Sequence, residues 1–159
     1  MFTGLLTQTA PEEESGKLNS QLNWSEIKNL SLAQKVRLAI LGNMGARSVL
    51  IRDSKKIVYM AVMKSPRLTD KEIVTFAKNK ALSDQIIGYI ARRKEWLKSS
   101  EVRKALVFNP KCPTNVALRL VSTLSERDLK ALKKNKEIPA YIMQAAARLV
   151  QMKEDRRNR

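Results

Sequence analysis

The 159-residue sequence contains no histidine. That absence removes Ser-His and Cys-His catalysis, together with every His-ligated metal site. Cys112 is the single cysteine, so no intramolecular disulfide can form, and the reducing cytoplasm is the expected compartment. Set in Pro110-Lys111-Cys112-Pro113, its thiol reads as a small turn residue rather than a nucleophile. Also missing are a Gly-rich phosphate loop, paired metal carboxylates and a cysteine cluster. No apolar run reaches the roughly 20 residues that cross a bilayer. The opening MFTGLLTQTAPEEESGK lacks the basic start and long apolar segment of a secretory signal. These absences lead us to expect a cytoplasmic, non-enzymatic protein with no membrane span, no metal, no cofactor and no small-molecule substrate.

Acidic residues are also scarce. There are 31 Lys and Arg against 15 Asp and Glu, a net charge of +16 with a pI near 10.3. Residues 1–30 hold two bases and four acids, which leaves 29 bases (31 less 2) and 11 acids (15 less 4), or +18, for the remainder. A field of that sign attracts nucleic acid, an anionic membrane surface or an acidic protein. Many of the same lysines are also compatible with solvated helix faces.

Apolar residues make up 43% of the chain, enough for the core of one domain. Ile57-Val58-Tyr59-Met60-Ala61-Val62-Met63 is apolar on every side of a helix, so it calls for neighbours on both faces. A buried strand is the alternative, since Ile, Val and Tyr also suit sheets. Ser31-Leu32-Ala33-Gln34 and Thr69-Asp70-Lys71-Glu72 have the capping-box form of a helix start. Gly42 or Asn43 is expected to end the first of these helices in a left-handed conformation, and Asp53 or Ser54 to cap the apolar helix. Stripes follow at Ile73, Phe76 and Ala77; at Ile86, Ile87, Ile90 and Ala91; at Val102, Ala105 and Leu106; and at Ala117, Leu120, Val121 and Leu124. Ser125 opens a short helix carrying Leu129 and Leu132. Pro139 starts a last one, with Ile142, Ala146, Leu149 and Val150 inward. The expected organisation is an acidic flexible tail over residues 1–22, an all-α body over 23–152 in short antiparallel pairs, and a basic tail over 153–159.

Two echoes suggest duplication. Ala61-Val62-Met63-Lys64-Ser65-Pro66 aligns with Ala105-Leu106-Val107-Phe108-Asn109-Pro110, and Lys78-Asn79-Lys80-Ala81-Leu82 with Lys134-Asn135-Lys136-Glu137-Ile138. The two offsets differ by about one short helix, which fits Ser125 to Leu132. With these Pro-containing turns and short amphipathic helices, residues 31–152 resemble the HEAT and armadillo class of helical repeats, although the repeat length is irregular. The resemblance implies an α-solenoid of stacked helix pairs, a binding surface rather than a catalyst. Some HEAT-like proteins are alkylpurine DNA glycosylases, but no residue-by-residue match to their active site exists here. Asp53, near Arg47 and Arg52, reads as a helix cap or ion-pair partner rather than a general base.

The densest basic stretch is Arg92, Arg93, Lys94, Trp96 and Lys98, followed by Arg103 and Lys104. Cations neutralise phosphates, and an exposed Trp stacks on a base or guanidinium; alternatively, Trp96 packs between repeats. The two Lys-Asn-Lys turns place Lys78 and Lys80, and Lys134 and Lys136, before helices, with Lys130 and Lys133 extending the second ridge. The leading expectation is a module whose basic face engages RNA or DNA. The alternative is a scaffold that receives an acidic segment or a partner helix.

Overall fold

The computed structural model describes residues 24–159, and the expected acidic tail, with Phe2, Leu5, Leu6 and Glu12 to Glu14, lies outside them. The described residues are all-helical, with no strand, which settles the choice between helix and strand at Ile57 to Met63. Ten α-helices occur among them: α1 (Trp24–Asn29), α2 (Leu32–Leu41), α3 (Met44–Leu50), α4 (Lys56–Met63), α5 (Asp70–Lys78), α6 (Asp84–Arg92), α7 (Ser100–Val107), α8 (Thr114–Val121), α9 (Glu126–Leu132) and α10 (Ala140–Arg157). A turn of 3-10 helix covers Trp96–Lys98. The chain divides between Leu68 and Thr69 into two compact units.

In the first unit α2 packs on α4 and α3, and α3 packs on α1. Both capping-box bonds form at the start of α2, Gln34 N to Ser31 Oγ at 3.3 Å and Ser31 N to Gln34 Oε1 at 2.9 Å. The end of α2 differs from the left-handed cap expected of it. Gly42 is extended (φ −69°, ψ 174°), and no described residue has positive φ. Close approach selects the glycine instead, because a Cβ would lie 2.3 Å from the Leu38 carbonyl oxygen. Helix α4 buries Val58, Tyr59, Ala61, Val62 and Met63, but Ile57 stays 57% exposed, so the helix is not covered all round. Its N-cap is Lys55, not Asp53 or Ser54. Asp53 Oδ1 accepts from the Lys55 amide at 2.8 Å and Oδ2 binds Lys35 Nζ at 3.0 Å.

In the second unit α5 packs on α6 and α7, α7 on α8, α8 on α10, and α10 on α9. The capping box at Thr69 and Glu72 is formed. The predicted stripes are buried at Ile73, Phe76, Ile86, Ile87, Ile90, Val102, Leu106, Leu120, Leu129, Leu132, Ile142 and Val150, while Leu149 is half-buried. Each such aliphatic side chain contributes about 1.5–3 kcal/mol on burial. Helix α10 continues to Arg157, through residues expected to form a tail.

Four interhelical links share one construction. At Ser65, Asn79, Asn109 and Asn135 the backbone N–H donates to the carbonyl three residues earlier, each at 3.0 Å. The side-chain oxygen accepts from the amide two residues on, at Arg67 (3.3 Å), Ala81 (2.9 Å), Lys111 (2.9 Å) and Glu137 (3.0 Å). The backbone carbonyl accepts from Leu68, Leu82, Cys112 and Ile138. The following residue, Thr69, Ser83, Pro113 or Pro139, is the N-cap of the next helix. Short polar side chains suit this position because they bond locally to backbone. The two sequence echoes are therefore a single turn used four times.

Two of these links also lock onto an earlier helix. Ser65 Oγ donates to the Ile40 carbonyl at 2.7 Å and Asn109 Nδ2 to that of Ala77 at 2.8 Å. Both side chains are buried, and the carbonyls they reach lie in the last turns of α2 and α5, where intrahelical donors run out. The basic residue two places on adds a second bond: Arg67 Nη1 reaches the Leu41 carbonyl at the end of α2, and Lys111 Nζ that of Leu82 in the link before α6, both at 2.6 Å.

Candidate anion-binding groove

The second unit contains a groove of about 490 Å³ between the end of α6 and the first turns of α8. Helix α6 starts at Ser83, whose Oγ accepts from the Ile86 amide at 3.4 Å, and its Ile86, Ile87 and Ile90 anchor it in the core. The helix ends at Arg92, and the chain turns extended at Arg93 (φ −88°, ψ 106°). Arg92 lies back over Gly88: a Cβ at Gly88 would stand 3.7 Å from Arg92 Nη2 and 3.9 Å from Pro113 Cγ. From the other side α8 contributes Asn115, Val116, Arg119 and Leu120, its start fixed by Pro113 at the N-cap. Arg92, Lys94 and Arg119 supply the charge over a floor that includes Ala91, Leu97, Val116 and Leu120, and no carboxylate is in the lining.

These three cations have no acidic partner among the described residues. Many of the other basic side chains are already committed. Arg93 lies over the Tyr89 ring with its guanidinium carbon 4.6 Å from the centroid and donates to the Tyr89 hydroxyl, a cation–π contact. Trp96 meets the same ring at 6.0 Å, tilted by 56°, and is half-buried. Arg103 is a structural clamp: Nη1 donates to the carbonyls of Leu97 (2.9 Å) and Lys98 (2.8 Å), and Nε to Thr123 Oγ1 at 3.2 Å. It thereby pins the turn that follows Lys94. Lys104 pairs with Asp128 at 2.6 Å in a separate cleft of about 370 Å³ that also carries Glu101.

The Lys-Asn-Lys turns are neighbours within the second unit. Lys80 of one forms an ion pair with Glu137, which follows Lys136 of the other. Asn109 Nδ2 also reaches the Asn79 carbonyl at 3.4 Å. Lys78, Lys133, Lys134 and Lys136 are exposed, with no acidic partner among the described residues, and the same holds for Lys98. Lys130 bridges Glu126 (2.8 Å) and Glu154 (3.5 Å), and Arg157 binds Glu126 at 2.5 Å. Lys130 and Arg157 together hold the Glu126 carboxyl down to about 2.

Thus Arg92 and Lys94 line the groove, whereas Arg93, Trp96, Arg103, Lys104, Lys80 and Lys130 are occupied by partners of their own. Arg119 and Asn115 escaped sequence reasoning. Arg119 is one polar position in an amphipathic stripe, far along the chain from Arg92, and nothing local marks it.

Neither the lone thiol nor Asp53 has the properties of a reacting group. Burial pushes the Cys112 thiol up to about 12, away from the thiolate form that acts as a nucleophile. For Asp53, burial acts to raise the carboxyl, but the Lys55 amide and the Lys35 ammonium outweigh it and the net shift is downward. A general base working near neutral pH needs the opposite shift. Arg47 is buried and donates to the Gly42 carbonyl at 2.6 Å, and Arg52 is exposed. No group of acidic or cysteine side chains suited to a metal ion occurs among the described residues, and no described helix is long and apolar enough to cross a membrane.

No protein-family model, curated protein or solved structure matches the chain.

Proposed function

We propose that the protein is a non-catalytic, HEAT-like helical-repeat module of the cytoplasm that binds nucleic acid, RNA or DNA, through the basic face of its second unit. The observation that carries this function is the groove itself, with Arg92, Lys94 and Arg119 around one cavity and no carboxylate among its lining residues. Elsewhere in the same unit Lys80, Lys104, Lys130 and Arg157 are neutralised by Glu137, Asp128, Glu126 and Glu154. Cations kept clear of acids attract phosphates, and the bound counterions they displace make such binding steeply salt-dependent. The four repeated links support the helical-repeat assignment, since duplicated units reuse the same turn.

Titration of labelled RNA and DNA at two salt concentrations tests the function. The expected outcome is binding at low salt that falls off steeply as salt is raised, with a slope near −0.9 per phosphate contacted on B-form DNA. Absence of binding at low salt would refute it.

A second function, docking of a protein helix, is favoured by the first unit. There Leu32, Val36, Ile40, Leu41 and Ile57 line an apolar groove of about 560 Å³ whose only charged member is Arg37. Leu32 and Ile57 are 48% and 57% exposed. The matching partner is an amphipathic helix with an apolar stripe and an acidic flank that meets Arg37. One stoichiometric partner that survives nuclease and high salt, and is lost in Ile57→Asp, is the expected result; an unaffected Ile57→Asp complex would exclude this groove.

A further inference from the structure

We infer that the groove of the second unit takes an unpaired nucleotide, so that the protein prefers single-stranded nucleic acid to duplex. This deepens the nucleic-acid function above and depends on it.

The first observation is size. A cavity of about 490 Å³ falls in the range of roughly 300–1,000 Å³ of sites that enclose a small molecule, and a lone phosphate leaves most of it unfilled. Duplex backbone is contacted along its outer face by cations and amides, which can use the charged rim but leaves the rest of the groove unfilled.

The second is the division of chemistry within the groove. Charge is carried by Arg92 and Lys94 on one side and Arg119 on the other, while the apolar lining is the half-buried Leu97 and Pro113 with the buried Ala91, Val116 and Leu120. A phosphate uses only the first set. The second set gains only if something with an apolar face displaces water from it, and a base offers such a face once it is unstacked. In a duplex those faces are buried in the stack.

The third is Asn115. Its Oδ1 accepts from the Val116 amide at 3.0 Å, so the side chain is held at the groove, and its Nδ2 donors have no acceptor among the described residues. They are suited to an exposed base edge or a ribose hydroxyl. Arg103 fastens the turn that carries Leu97 through the Leu97 and Lys98 carbonyls.

The test uses the full chain, a fluorescein-labelled single strand of about 12 nucleotides and the duplex of the same sequence, within the range of single-strand site sizes, titrated by anisotropy in the same buffer. A single strand bound at least about tenfold tighter supports the inference. So does loss of most of that preference in Leu97→Ser, a neutral change at a half-buried position, with the single strand weakened more than the duplex. Equal affinities, or tighter duplex binding, would overturn the single-strand inference and leave general nucleic-acid binding standing. If neither probe binds, both fall. The wild-type affinity ratio decides the matter by itself should Leu97→Ser fail to fold.

Discussion

Between residues 24 and 68 nine basic side chains accompany only two acidic ones, whereas residues 69–159 hold 21 bases and ten acids. Among the described residues the first unit is thus the more one-sided in charge, yet its groove is apolar, and the basic groove lies in the second. Placement accounts for the contrast. In the first unit Arg47 and Arg67 are spent on backbone carbonyls and Lys35 on Asp53. In the second, ion pairs and the Arg103 clamp take up many cations but bypass Arg92, Lys94 and Arg119. Net charge sets how strongly anions gather around a protein, and cations grouped around one groove with no carboxylate between them set where they bind.

Several substitutions break or sharpen this contrast. The largest effect expected is on stability: Ile90→Ala on the buried face of α6, at 0% exposure, costs about 2–5 kcal/mol. Ile57→Ala in the apolar groove, at 57% exposure, stays within about 0.5 kcal/mol. Urea denaturation of the two variants checks this, and similar losses would mean that Ile57 is covered. Next come the locking links. Asn109→Ala strips a donor from the buried Ala77 carbonyl and should cost about 1–3 kcal/mol, against about 1 kcal/mol for Ser65→Ala, whose hydroxyl makes the corresponding bond to Ile40.

A third comparison exchanges charge in each groove. Arg119→Glu should weaken nucleic-acid binding by about tenfold or more at roughly 0.1 M salt, and Arg37→Glu by less than about twofold. Equal losses would mean that charge acts without regard to position. The smallest effect concerns acid. Glu126 has its pKa lowered from 4.5 to about 2 by Lys130 and Arg157. A depressed carboxylate stabilises the fold above its unfolded value, and that stability is lost as pH falls through the folded one. The wild-type advantage in melting temperature over Glu126→Gln should therefore be full above about pH 5 and vanish toward about pH 2. It is expected to be small because the pair is exposed.

Most of the helical architecture was legible from local chemistry. Ser31 and Thr69 specify capping boxes through residues three places apart, and the isoleucines of α6 announce their buried face by period alone. The end of α2 was not legible, because Gly42 serves a close contact with Leu38 and Ala46 that no sequence pattern displays. The groove was half legible. Arg92 and Lys94 stand in a conspicuous basic run, but Arg93 beside them is turned to Tyr89, a distinction set by the helix end at Arg92. Arg119 joins them only through packing, and the roles of Arg103 and Lys104 depend on Leu97, Lys98 and Asp128 being brought alongside.

The most direct test of the central claim is the salt dependence of nucleic-acid affinity in the wild type and in the triple variant Arg92→Ala, Lys94→Ala, Arg119→Ala. If these three side chains meet phosphates, the slope of log affinity against log salt should become shallower by about 2–3, at roughly 0.7–0.9 for each phosphate that is no longer neutralised. An unchanged slope in a folded triple variant would contradict it and move binding to another part of the surface.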